Sequence, residues 1–133
     1  MIKTEVSNPT AELFFFNEQK TMYGGKNIVE GDLIFVIASE IEGGSGLVAM
    51  GVVTAAKSVP RKIGVARQPP RVSIGLKRTA LVRRRLGRNE LKPFADWSDG
   101  GPETELNFKL YRPATNTIVG ISDETAAFLR GHF

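Results

Sequence analysis

The sequence predicts a small α+β domain that is mainly β, and three observations carry that reading. Leu33-Ile34-Phe35-Val36-Ile37-Ala38 is a continuous apolar run opened by Gly31-Asp32, the composition of a strand covered on both faces. A similar run, Leu47-Val48-Ala49-Met50-Gly51-Val52-Val53, follows across the connector Gly43-Gly44-Ser45-Gly46. Glycine reaches the positive φ values that tight antiparallel connections need, so residues 32–54 read as a central hairpin. Later segments alternate polar with apolar side chains, the period of half-exposed strands.

The 133 residues, 41% hydrophobic and 24% charged, fit one domain with an ordinary core. No apolar run approaches the ~20 residues that span a bilayer. No apolar stretch follows Met1-Ile2-Lys3-Thr4-Glu5, so export is not expected. The absence of cysteine excludes disulfides and thiolate metal sites and suits a cytoplasmic protein.

Residues 1–10 read as a lead-in ending at the turn or helix-start signal Asn8-Pro9-Thr10. Ala11 to Asn17 is a strand, or a short helix capped by Thr10. Phe14, Phe15 and Phe16 cannot all face inward from one strand, because neighbours alternate faces. Met22 to Asn27 is a polar loop in which Tyr23, beside two glycines, either stacks on a planar ligand or caps one end of the fold. Ser39 and Glu40 stand where the buried strand ends. There they either read the polar edge of a ligand or satisfy donors of their own turn. Gly43 to Gly46 lacks the following Lys-Ser/Thr and the helix of a phosphate-binding loop.

Gln68-Pro69-Pro70 interrupts regular structure. Arg71 to Arg78 then alternates, with Val72, Ile74 and Leu76 on one face and Lys77 on the other, as a strand. Thr79 to Lys92 reads as one or two short helical turns. Phe94 to Pro102 is a loop by composition; it holds the only tryptophan, Trp97, as a pocket wall or as a cover for one end of the fold. Asp96-x-Ser98-Asp99-Gly100 lacks the bidentate glutamate and glycine placement of a calcium loop. Leu106, Phe108 and Leu110 alternate within Thr104 to Arg112, predicting a strand that turns at 113–116 into a partner over Thr117 to Ile121. Ser122 is the N-cap of a helix reaching Arg130, with acids in its first turn and Phe128 and Leu129 facing back onto the sheet.

Charge is unevenly placed. Lys57 to Lys92 holds twelve basic residues, eight of them arginine, and one acid, Glu90; the remainder of the chain is net acidic. Such a block signals an anionic partner, and arginine favours planar, bidentate anion recognition. Arg71, Lys77, Arg78, Arg83, Arg84 and Arg85 are the candidate phosphate ligands. The competing reading is a solvated connection that packs its arginines against acids of the same chain.

Asn27, the run from Gly31-Asp32 to Ser39, and the run from Gly46 to Val53 together resemble the PUA-like superfamily, its EVE and ASCH branches in particular. The likeness is best over residues 22–54. It implies a compact barrel or pseudobarrel of five to six strands with short flanking helices, used as a nucleic-acid reader that holds a flipped or modified base in an aromatic pocket. By position, Ser39 matches the strand-end serine and Asn27 an asparagine of the preceding loop. Tyr23 and Trp97 are cage candidates from their chemistry, with Glu40 beside them.

Enzymatic chemistry is poorly provided for. His132 is the only histidine and stands one residue from the end of the sequence, a poor place for ordered chemistry; no serine-nucleophile elbow or histidine cluster is present. The expectation is a non-catalytic nucleic-acid-binding module, for DNA or RNA, without cofactor or metal and without membrane attachment. The alternative is a small-ligand or protein-interaction domain whose basic block docks an acidic protein or a second copy of the chain.

Overall fold

Strand β3 (Leu33–Ala38) is buried on both sides, as its unbroken apolar composition requires. Ile34, Val36 and Ala38 point into one core together with Ile2, Phe14, Val53, Val72, Ile74, Leu76 and Ile118. Phe35 and Ile37, on the opposite face, join a second core with Leu47, Leu86, Leu91, Leu106, Leu110 and Leu129. The first core is the inside of a closed barrel; the second lies between the barrel wall and three helices.

The computed structural model of the chain describes residues 1–111 and 115–133, with Trp97 described by its backbone alone. The other strands are β1 (Ile2–Thr4), β2 (Leu13–Met22), β4 (Gly46–Val59), β5 (Arg71–Leu81) and β6 (Thr117–Val119). They close in the order β1-β3-β4-β5-β2-β6. β3, β4 and β5 form an antiparallel meander and β2 pairs antiparallel with β5. β1 runs parallel to β3, and β2 parallel to β6. The helices are α1 (Arg88–Leu91), α2 (Pro102–Tyr111) and α3 (Asp123–Arg130). The chain is thus mainly β, a closed six-stranded mixed barrel with short helices, and the central hairpin expected over residues 32–54 is β3 and β4. Among the described residues no helix is long and apolar enough to cross a membrane.

Two expectations are corrected. The segment read as a strand from Thr104 is helix α2; Arg112 lies outside the described residues. Leu106 and Leu110 are buried four residues apart, a spacing that satisfies a helix as well as a strand. Pro102 occupies the first helical position, Glu103 and Glu105 fall in the first turn, and Lys109 pairs with Glu105 one turn earlier at 3.3 Å, all helix-start and helix-face signals. The helical turns expected over Thr79 to Lys92 shrink to the single turn α1, because β5 continues to Leu81. Beyond it the chain bends at Arg83 and Arg84, whose main-chain N–H groups both donate to the His132 carbonyl.

Ser122 caps α3 as expected, its Oγ accepting from the Thr125 N–H at 3.2 Å. Glu105 of α2 accepts from both the N–H and the hydroxyl of Ser122, tying the two helices together. His132 is buried, its ring edge-on to Phe128 at 5.0 Å and its Nδ1 3.2 Å from the Phe128 carbonyl. It serves packing, in an ordered segment.

Two variants test this packing. Leu106→Ala removes a fully buried side chain between barrel and helices and is expected to cost about 2–5 kcal/mol in denaturant unfolding. A Cβ on Gly120 would collide with the Tyr23 carbonyl, so Gly120→Ala is expected to lose about 1–3 kcal/mol, read by the same measurement.

Candidate nucleic-acid interface

Folding divides the basic block into two sets. The first is engaged within the chain. Arg83 Nε donates to the Phe133 main-chain oxygen at 3.0 Å and Arg84 Nη2 to the Gly131 carbonyl at 3.3 Å. These oxygens follow the C-terminus of α3, where unpaired carbonyls and the helix dipole attract cations. Arg85 forks between Glu90 at 3.0 Å and Glu40 at 3.6 Å. Arg71 pairs with Glu18 at 3.0 Å, its side chain only 13% exposed. Arg78 is half-buried, and its Nε is buried with no hydrogen-bond partner among the described residues.

The second set has no acidic partner among the described residues; Arg61 donates only to the Ala66 carbonyl of its own loop, at 3.3 Å. Lys77 is exposed on the outer face of β5, beside Leu13 of β2 and Val52 of β4. Lys57 is exposed on β4 opposite Ser73, and Lys20, from outside the block, on β2 opposite Arg71. None of these lysines has an acidic partner among the described residues. The open faces of β2, β5 and β4 thus form one surface, with Phe15 and Gly75 paired at its middle. Beyond the ends of β4 and β5, the loop 60–70 exposes Arg61, Lys62 and Arg67. At its base a cavity of about 300 Å³ gathers Lys26, Arg61 and Arg71 with Gln68 and Pro70.

Of the residues expected around a base, Tyr23 and Ser39 lie apart. Tyr23 follows β2, which ends beside Val119 of β6. Its ring is half exposed, with Lys109 Nζ 4.9 Å from the centroid and Phe108 edge-on at 5.9 Å. Asn27 is exposed and closes a short 3-10 turn, its N–H donating to the Gly24 carbonyl at 3.0 Å. Ser39 lies near the other end of β6. It is 1% exposed, its hydroxyl 2.9 Å from that of Thr115, and its carbonyl accepts from the N–H groups of Glu42 and Gly44. The nearby cleft carries Glu5 and Glu42, a poor setting for a phosphate. Trp97 opens a short 3-10 turn over Trp97–Asp99; its side chain lies outside the described part.

Glu40 has an architectural place. Helix α1 is preceded by Gly87, which has no side chain with which to cap it. Glu40 Oε1 instead accepts from the Arg88 N–H at 2.7 Å, while Glu90 reaches back to the Gly87 N–H. The same Glu40 oxygen accepts from the Tyr111 hydroxyl at 3.3 Å. Glu40, Lys3, Arg88 and Tyr111 surround a cavity of about 100 Å³. Burial pulls the Lys3 amine below its ordinary range, and the charge of Arg88 adds to this against the opposing pull of Glu40. Burial pushes the Tyr111 phenol well above its usual range, and the charge of Glu40 pushes it further. No cluster of metal-ligating side chains stands among the described residues.

Phe15 escapes the sequence reading. The alternation rule shows only that one of three phenylalanines must face away; that the outward one meets a glycine on an uncovered sheet needs the strand register. No family model, no curated protein and no solved structure matches the chain.

Glu40→Ala leaves the Arg88 N–H and the Tyr111 hydroxyl without their acceptor and is expected to cost about 1–3 kcal/mol in denaturant unfolding. Tyr111 also sets an alkaline limit. Its folded value lies above the ordinary 10.0, so its contribution is fully present below pH 10 and is lost as pH rises through the folded value. Relative to Tyr111→Phe, the wild type is expected to lose at most about 1.4 kcal/mol per pH unit between pH 10 and the folded value, measured by urea unfolding across alkaline pH.

Proposed function

We propose that the chain is a nucleic-acid-binding module of PUA-like type that holds a sugar–phosphate backbone on the open β2–β5–β4 face and the basic loop beyond it. One observation carries this reading: Lys20, Lys57 and Lys77 share one exposed face, continued by Arg61, Lys62 and Arg67, and none has an acidic partner among the described residues. Glu18, at the bulge of β2, is engaged by Arg71. A strip of cations without acidic partners attracts a polyanion through counterion release, giving affinity that falls steeply with salt. The order β1-β3-β4-β5-β2-β6 and the mixed pairing agree with a pseudobarrel. Recognition of a modified base has less support, since Tyr23 and Ser39 lie near opposite ends of β6.

The competing reading is a protein partner on the same face, favoured by the exposure of Leu13 and Phe15. A salt series of polynucleotide binding separates the two. The variant Lys20→Gln/Lys57→Gln/Lys77→Gln is expected to weaken binding and to lower the slope of log affinity against log salt by about 2, at roughly 0.7 per lost phosphate contact on a single strand. Arg83→Gln/Arg84→Gln is expected to lower thermal stability and leave that slope unchanged. Wild-type protein that binds no polynucleotide at low salt would refute the module.

A further inference from the structure

We infer that the open face is a stacking platform for single-stranded nucleic acid, with Phe15 carrying one base; this rests on the nucleic-acid reading above. Phe15 is 71% exposed at the middle of three paired strands. Its Cα partner is Gly75, which in turn pairs with Ala55. A Cβ on Gly75 would stand 3.1 Å from Phe15 Cε1 and 3.1 Å from Thr54 Oγ1, so the ring lies down over the glycine instead of standing clear of the sheet. A flat aromatic on a sheet surface is the form on which an unstacked base is received.

The neighbouring rows supply the rest of the site. Two residues along β5, roughly 7 Å away, Lys77 lies between Leu13 and Val52; two residues the other way Ser73 lies opposite Lys57. Cations thus flank the aromatic on both sides along the strand direction, the spacing a backbone needs to pass while a base turns down onto the ring. A duplex keeps its bases stacked on one another and offers Phe15 nothing to receive. Reading base edges in a groove takes long polar side chains, and the central row offers only the Thr54 hydroxyl. A protein partner fits less well, because lysine is depleted from the cores of protein interfaces.

The test is equilibrium binding of fluorescein-labelled oligo(dT), oligo(rU) and a mixed-sequence duplex over one common salt series, with wild type, Phe15→Ala and Phe15→Tyr. Single strands are expected to bind more than about tenfold tighter than duplex. Phe15→Ala is expected to lose about five- to hundredfold of single-strand affinity with an unchanged salt slope, and Phe15→Tyr to keep most of it. Tight binding of either oligo(dT) or oligo(rU) supports the platform. Equal affinity for duplex and single strand, or an unaffected Phe15→Ala, overturns the platform while the salt-dependent module stands. No polynucleotide binding, with Phe15→Ala instead dissociating a self-associated wild type in sedimentation, overturns both and gives the face to a second copy of the chain.

Discussion

Burial of β3 on both faces is the constraint from which the rest follows. Alternation sends Ile34, Val36 and Ala38 into the barrel and leaves Phe35 and Ile37 on its outside, where water must be excluded. α1, α2 and α3 supply that cover through Leu91, Leu106, Leu110 and Leu129. Three short helices cannot also shield the far wall. There the outward positions of β2, β4 and β5 include Leu13, Phe15, Val52, Lys57 and Lys77, all exposed. The location of the open face is thus a consequence of where the helices are required.

The same division sorts the basic residues by chemistry. A guanidinium spreads several donors in a fixed fork and can serve two acceptors at once. Arg83, Arg84 and Arg85 use it on the carbonyls after α3 and on the Glu40 and Glu90 carboxylates. Lysine, a single hydrated charge, remains on the sheet surface with its ammonium in water. A count of positive charge along the chain treats both kinds alike, so the sequence singles out Arg83 to Arg85 as phosphate ligands where the fold gives them internal partners.

What the sequence makes legible is local. The apolar run of β3, the alternation of β5 and the Ser122 cap each depend on neighbours within a few residues, and each forms as expected. Helix α2 is ambiguous because Leu106 and Leu110 fit two periods at once; the decisive signals were Pro102 and the acids behind it, not the alternation. The parallel pairs β1–β3 and β2–β6 join segments far apart in the chain, and no local pattern announces such a register. The candidate site shares that fate. Tyr23 and Ser39 stand out for their chemistry and are kept apart by β6, whereas Phe15 acquires its meaning only from the strand opposite.

Stability and binding should therefore be separable in this molecule. Glu40 gathers α1, Tyr111 and Arg85 on the helical side of the barrel, while Phe15, Lys57 and Lys77 occupy the open wall formed with β5. The two groups share no hydrogen-bond or ion-pair partner among the described residues. Changes at sites without shared partners add nearly independently. The open wall of this barrel can therefore change while the helical side keeps the fold, since Leu13, Phe15, Lys57 and Lys77 belong to neither core.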